Sequence, residues 1–93
     1  MNTTTKTQTP GQLVRSYRER IALDPDLFDG DLDVIMWLVT DTPERSWTPS
    51  EIAQVAKVST DEARRLLEEL TEDDSVLANR RGAWTRYYSR RAR

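Results

Sequence analysis

Apolar residues recur with helical spacing in four segments of the chain. The first segment, residues 10–23, follows a capping box that starts at Thr9, with proline at the first helical position. The second, residues 31–41, is apolar almost all round, so we expect this helix in the centre of the domain. Leu27 and Phe28 lie in the turn-rich connector between these helices, and we expect both to anchor it to the core.

The other two helices are short and lie close together in the sequence. The first of them starts at a Thr48 cap and runs to about Lys57. The second covers residues 60–73; it opens on a capping box at Ser59 and carries apolar residues at positions i, i+3, i+4 and i+7. Residues 46–48 predict a short strand just before this pair of helices.

The chain from residue 75 onwards predicts a β-hairpin. Two strands, residues 75–80 and 83–89, pair around a turn at Arg80-Arg81-Gly82, in which Gly82 supplies a positive φ. The fold class is therefore mainly α with a small β-hairpin, in the order α-α-β-α-α-β-β.

The aromatic residues of the hairpin are assigned to faces by the alternation of a strand. Trp84 and Tyr88 are four residues apart, so the two-residue period of a strand puts them on the same face. We expect both to pack in the core, with Tyr87 pointing outward. The other interpretation is that these aromatic rings stack on bases or sugars. Trp37 and Trp47 are predicted to be core residues.

Composition excludes several kinds of chemistry. The chain has no cysteine and no histidine, so disulfides, thiolate metal sites and the commonest general base are absent. No nucleophile–base pair can be named, and the acid cluster over residues 24–33 lacks the ligand order of a calcium loop. We therefore expect no enzyme activity, no metal, no cofactor and no small-molecule substrate. No secretory signal or membrane-spanning apolar run is found, which predicts a cytoplasmic protein.

The charges are distributed unevenly along the chain. Residues 1–23 carry a formal charge of +3, residues 24–74 carry −11 and residues 75–93 carry +6. The net charge of −2 thus combines an acidic body with a basic carboxy-terminal end. Such a concentration of arginine creates a local positive field that attracts polyanions.

The segment WTPSEIAQVAKVSTDEARRLLEEL, followed by SVLANRRGAWTRYYSR, resembles the winged helix–turn–helix regulators of the ArsR/MarR-like superfamily, in their compact archaeal and bacterial form. The resemblance covers about residues 31–89. It implies binding to duplex DNA, with helix 60–73 in the major groove and the hairpin on the adjacent backbone or minor groove. It also implies a homodimer formed through helices outside the motif.

The chain divides accordingly into four parts. Residues 1–9 are predicted to be a disordered tail. Residues 10–30 hold the N-terminal helix and its connector, which we assign to dimerisation. Residues 31–89 form the winged helix–turn–helix domain, and residues 90–93 form a basic tail.

Eight residues are predicted to contact DNA. Arginine can form paired hydrogen bonds to guanine or contact phosphate, and hydroxyl groups near a helix N-terminus can bind phosphate. The candidates are Ser50, Thr60, Arg64, Arg65, Arg80, Arg81, Arg86 and Tyr87. For Arg64 and Arg65 a second interpretation stays open, in which they form surface ion pairs with Glu68 and Glu69 four residues further on.

These observations favour a small, dimeric transcriptional regulator associated with the nucleoid. The alternative is a winged-helix module for protein interaction, in which the acidic face of helix 60–73 docks a basic partner protein. The regulator takes its affinity mainly from the basic hairpin, whereas the interaction module depends on the acid cluster.

Overall fold

The computed structural model describes residues 8–91; residues 1–7 and 92–93, which hold most of the predicted N-terminal tail and half of the predicted basic tail, lie outside this range. The protein is mainly helical, with a small three-stranded antiparallel sheet. Its elements, in chain order, are α1 (Pro10–Leu23), α2 (Gly30–Thr40), β1 (Ser46–Trp47), α3 (Pro49–Ala56), α4 (Thr60–Glu72), β2 (Val76–Asn79) and β3 (Arg86–Ser89). The predicted order of elements is confirmed.

Side-chain caps start three of the four helices where the sequence predicts them. At α1 and α3 the capping box is complete: the threonine side chain accepts from the third helical N–H, and the side chain of that third residue accepts from the threonine N–H. At α4, Ser59 accepts from the Glu62 N–H at 3.1 Å, but the Glu62 carboxylate bonds to Arg65 instead of returning to Ser59. The predicted third capping box is therefore only half formed.

The sheet has the strand order β1-β3-β2, so that β3 lies in the middle. Trp47 pairs with Tyr87 across β1 and β3, and Leu77 pairs with Tyr88 across β2 and β3. Both hairpin strands are shorter than predicted, and residues 80–85 form a loop between them. Gly82 does not adopt a positive φ, because a loop of this length does not need the tight turn that the sequence suggested.

The core lies between the four helices and one face of the sheet. As predicted, α2 is central: Val34, Ile35, Leu38 and Val39 are fully buried. Trp37 of the same helix is partly buried, with its ring edge-on to the rings of Tyr17 and Phe28 at 5.4 and 5.3 Å between centroids. Phe28 thus anchors the connector as expected. Leu27 does not, since 68% of it is exposed.

The face assignment of the hairpin aromatics was wrong by one residue. Tyr87 is buried and Tyr88 is only partly buried, while Trp84 is 70% exposed. β3 begins at Arg86, so Trp84 lies in the loop and the alternation of the strand does not extend to it. Within the strand, Tyr87 lies opposite the buried Trp47 and shares its face, which puts Tyr88 on the other face. Because side chains alternate across a strand, an error of one residue inverts every assignment that depends on it.

Within residues 8–91, none of the helices is both long enough and apolar enough to cross a membrane.

Candidate nucleic-acid interface

The N-terminal ends of α3 and α4 meet the 80–85 loop and the start of β3 around a groove of about 720 Å³. Thr48 caps α3 and Ser59 caps α4, and these two caps fix the first turn of each helix beside the groove. Six of the eight predicted DNA-binding residues line this groove: Ser50, Thr60, Arg64, Arg80, Arg86 and Tyr87. Residues that are far apart in the sequence therefore converge on one surface.

Arg65 and Arg81 do not line the groove. Arg65 projects from another side of α4, beside the carboxylates of Glu62, Glu69 and Asp31. Arg81 is exposed in the 80–85 loop, where its backbone N–H donates to the Asn79 side-chain oxygen at 3.0 Å. Its guanidinium forms no ion pair with any residue in the range 8–91.

A carboxylate on α4 holds the 80–85 loop in place. Arg80 donates two hydrogen bonds to the two oxygens of Glu68, at 3.0 and 2.9 Å. The Tyr87 hydroxyl donates a third bond to Glu68. These hydrogen bonds hold the pKa of Glu68 below its usual value, and those from Arg80 have a larger effect than the one from Tyr87. The Arg80 guanidinium, which the sequence predicts to contact DNA, is therefore already bound to Glu68.

Tyr87 does not reach outward to a phosphate as predicted. Its side chain is 1% exposed, and its hydroxyl is already engaged by Glu68. Burial, and then the neighbouring Glu68 carboxylate, raises the pKa of Tyr87 to about 12. The residue forms part of the floor of the groove rather than a contact at its rim.

Trp84 is the groove residue that the sequence analysis placed wrongly in the core. Its exposed indole lines the groove together with Pro49 and Ala83, so much of the wall is apolar. The signal that could have found it is the Arg-Arg-Gly-Ala run just before it, which breaks the hydrophobic alternation and favours a longer loop.

The arginines of α4 form ion pairs with acids of the same helix. Arg64 pairs with Asp61 at 2.9 Å, and not with Glu68 as the second interpretation had it. Arg65 pairs with Glu62 at 2.7 Å and also with Glu69 at 3.6 Å, the second of which was predicted. Glu68 pairs with Arg80 of the loop, so four acids of α4 have an arginine partner.

The arginines of β3 and of residues 90–91 form fewer ion pairs with carboxylates than the arginines of α4 do. Arg86 is exposed at the groove and, like Arg91, forms no ion pair within residues 8–91. Arg90 donates to the backbone carbonyl of Asp74 at 3.1 Å. The rim of the groove therefore keeps positive charge that no carboxylate in the described part of the chain neutralises. That same part holds no cluster of three or more acidic side chains arranged to bind a metal ion.

The raised pKa of Tyr87 predicts that the fold loses stability at alkaline pH. Between its ordinary value of 10 and about 12, the folded protein keeps a proton that the unfolded chain releases. Tyr87 should therefore add no pH dependence up to about pH 10 and then lower the stability by roughly 2–3 kcal/mol as the pH approaches 12. Tyr17, whose pKa is raised by burial and by its hydrogen bond to Asp41, acts in the same direction.

Urea unfolding at graded pH, with Tyr87→Phe beside the wild type, measures this dependence. The variant should be less stable at neutral pH but lose less stability above pH 10, with the remaining slope due to Tyr17. Identical slopes for the two proteins would contradict the assignment to Tyr87.

No protein-family model, curated protein or solved structure matches this chain.

Proposed function

We propose that the protein is a winged helix–turn–helix DNA-binding protein, acting as a small transcriptional regulator. In this proposal α3 and α4 are the helix–turn–helix, and β2, the 80–85 loop and β3 are the wing. The observation that carries the proposal is the convergence of the first turns of α3 and α4 with the basic 80–85 loop on one groove. Helix N-termini, hydroxyl groups and arginines are the groups that proteins use to contact DNA.

Helix α4 supplies the recognition element of the proposed site. Thr60 and Arg64 lie at its N-terminal end and face the groove. The ion pair between Arg64 and Asp61 has side chains that are 56% and 94% exposed, so it contributes only about 0–1 kcal/mol. A guanine edge or a phosphate can replace this weak pair, because arginine forms two parallel hydrogen bonds to either.

The wing supplies most of the attraction to DNA. Arg81 and Arg86 are exposed and have no carboxylate partner within residues 8–91, so both can contact phosphates. The body of the protein, by contrast, is strongly acidic over residues 24–74 and repels a polyanion. This contrast orients the approach of DNA, since the wing side is the favourable one.

The competing proposal, docking of a basic partner protein on α4, finds less support. Asp61, Glu62, Glu68 and Glu69 each lie within 4 Å of an arginine of this chain. A basic partner would have to displace those arginines, whereas Arg81 and Arg86 of the wing have no carboxylate partner within residues 8–91 and are available to a polyanion. DNA therefore remains the favoured ligand.

The proposal is tested by titrating a labelled duplex with the protein at graded salt. Each phosphate contact releases about one counterion, so Arg81→Ala and Arg86→Ala should each lower the slope of log K against log salt by about one. The stoichiometry of the same titration shows whether one or two chains bind each duplex, which tests the homodimer that we include in the proposal.

Arg15→Ala is the matched control. Arg15 is exposed on α1 and lies beside a different groove. Its replacement by alanine removes the same charge as each wing variant. A wild-type protein that fails to bind duplex DNA at low salt would refute the proposal. Equal losses for Arg15→Ala and the two wing variants would refute the wing contact.

A further inference from the structure

We propose that Trp84 stacks on an unpaired base, so that the groove binds DNA where a duplex meets a single strand. This inference rests on the proposed function and names the form of DNA that the site prefers. Its starting observation is that 70% of Trp84 is exposed, in a fold that uses its other large aromatic residues for packing.

The three tryptophans have different roles in the structure. Trp47 is 1% exposed and donates its indole N–H to Thr42 at 2.8 Å. Trp37 packs against two aromatic rings and lies under the guanidinium of Arg20 at 5.0 Å. Trp84 has no aromatic or cation–π partner within residues 8–91. Its ring therefore contributes little to folding and stays available to a ligand.

The groove beside Trp84 has the size and lining of a nucleotide site. Its volume of about 720 Å³ falls within the range of ~300–1,000 Å³ that is typical of pockets for ligands of this size. The volume has room for a nucleotide. Trp84, Pro49 and Ala83 provide an apolar wall, which suits the flat face of a base and not a phosphate.

The rim of the same groove can hold the backbone of the stacked nucleotide. Arg64 and Arg86 both line it, so the groove combines two arginines with the apolar wall, and either can contact a phosphate that follows a stacked base. A base inside a duplex has its faces covered by its neighbours, whereas an unpaired or extruded base offers a full face to the indole. The combination of exposed indole, apolar wall and basic rim therefore selects DNA with an unpaired base next to the duplex.

The experiment compares three DNAs that share one duplex: blunt, extended by a short single-stranded tail, and extended by a tail of the same length made of abasic nucleotides. The two tailed DNAs carry the same phosphates and differ only in their bases. Wild-type protein should bind the base-bearing tail about 5- to 150-fold more tightly than the abasic tail, the factor that corresponds to ~1–3 kcal/mol for one stacked base.

Trp84→Ala should abolish this difference by lowering the affinity for the base-bearing tail to that for the abasic tail, and Trp84→Phe should keep most of the difference because it keeps an aromatic face. Leu27→Ala, which removes another exposed apolar side chain, should change nothing.

Equal binding of the two tails by the wild type would overturn the inference, and the proposed function would stand as long as the blunt duplex binds. An equal loss on all three DNAs in Trp84→Ala would also overturn it, since Trp84 would then act on the duplex. Failure of every duplex to bind at low salt would refute the proposed function itself, and the inference with it.

Discussion

Replacing Trp47 with alanine should destabilise the fold by about 3–5 kcal/mol, whereas the same substitution at Trp84 should change the free energy of unfolding by less than about 0.5 kcal/mol. Trp47 lies on β1, 1% exposed, paired with Tyr87 of the central strand. Its removal leaves a cavity between the sheet and the helices. It also leaves the buried Thr42 hydroxyl without the indole N–H that donates to it.

Urea unfolding followed by far-ultraviolet circular dichroism measures both substitutions without depending on tryptophan emission. Trp47→Phe should fall between the two alanine variants, because it restores part of the buried volume but not the hydrogen bond to Thr42. A Trp84→Ala protein that is destabilised as much as Trp47→Ala would show that the 80–85 loop packs against the core. In that case the apolar wall of the groove would not exist as described.

The contrast between these tryptophans also shows what the sequence can and cannot predict. The helices were predictable because their caps are local: the Thr9 and Thr48 boxes involve residues three positions apart. The exposure of Trp84 was not predictable, because it depends on where β3 begins. That point is fixed by the pairing of β3 with β1 and β2, which are distant in the sequence.

The candidate site was predictable in its residue types but not in its internal contacts. Helical spacing predicts ion pairs three or four residues apart, and it identified the pair between Arg65 and Glu69. It could not identify Glu68 as the partner of Arg80, because these residues are twelve positions apart and meet only when the 80–85 loop folds against α4. The most consequential carboxylate of the groove therefore emerged only from the three-dimensional structure.

Glu68→Gln should increase the affinity for duplex DNA by about tenfold at low salt and raise the salt slope by about one. In the wild type, Glu68 holds both terminal nitrogens of Arg80 and adds a negative charge to the groove. A phosphate that approaches Arg80 must therefore displace a carboxylate. The substitution removes that competitor and makes one more arginine available, which is one more phosphate contact.

Glutamine is the suitable replacement because its side-chain oxygen can still accept the hydrogen bond from Tyr87. Alanine at this position would leave a buried hydroxyl unsatisfied, at a cost of about 1–3 kcal/mol, and would confuse binding with stability. The titration is the same graded-salt experiment with a blunt duplex. Its control is Glu69→Gln, which removes an equal charge from the same helix beside Arg65 and outside the groove.

The double variant Glu68→Gln with Arg80→Ala separates the two causes of the gain. If the gain comes from the released arginine, the double variant should bind no more tightly than Arg80→Ala alone. If it comes only from the loss of a negative charge, the gain should survive in the double variant and appear in Glu69→Gln as well. In that second case Glu68 would serve only to fix the loop on α4, and Arg80 would not be part of the DNA contact.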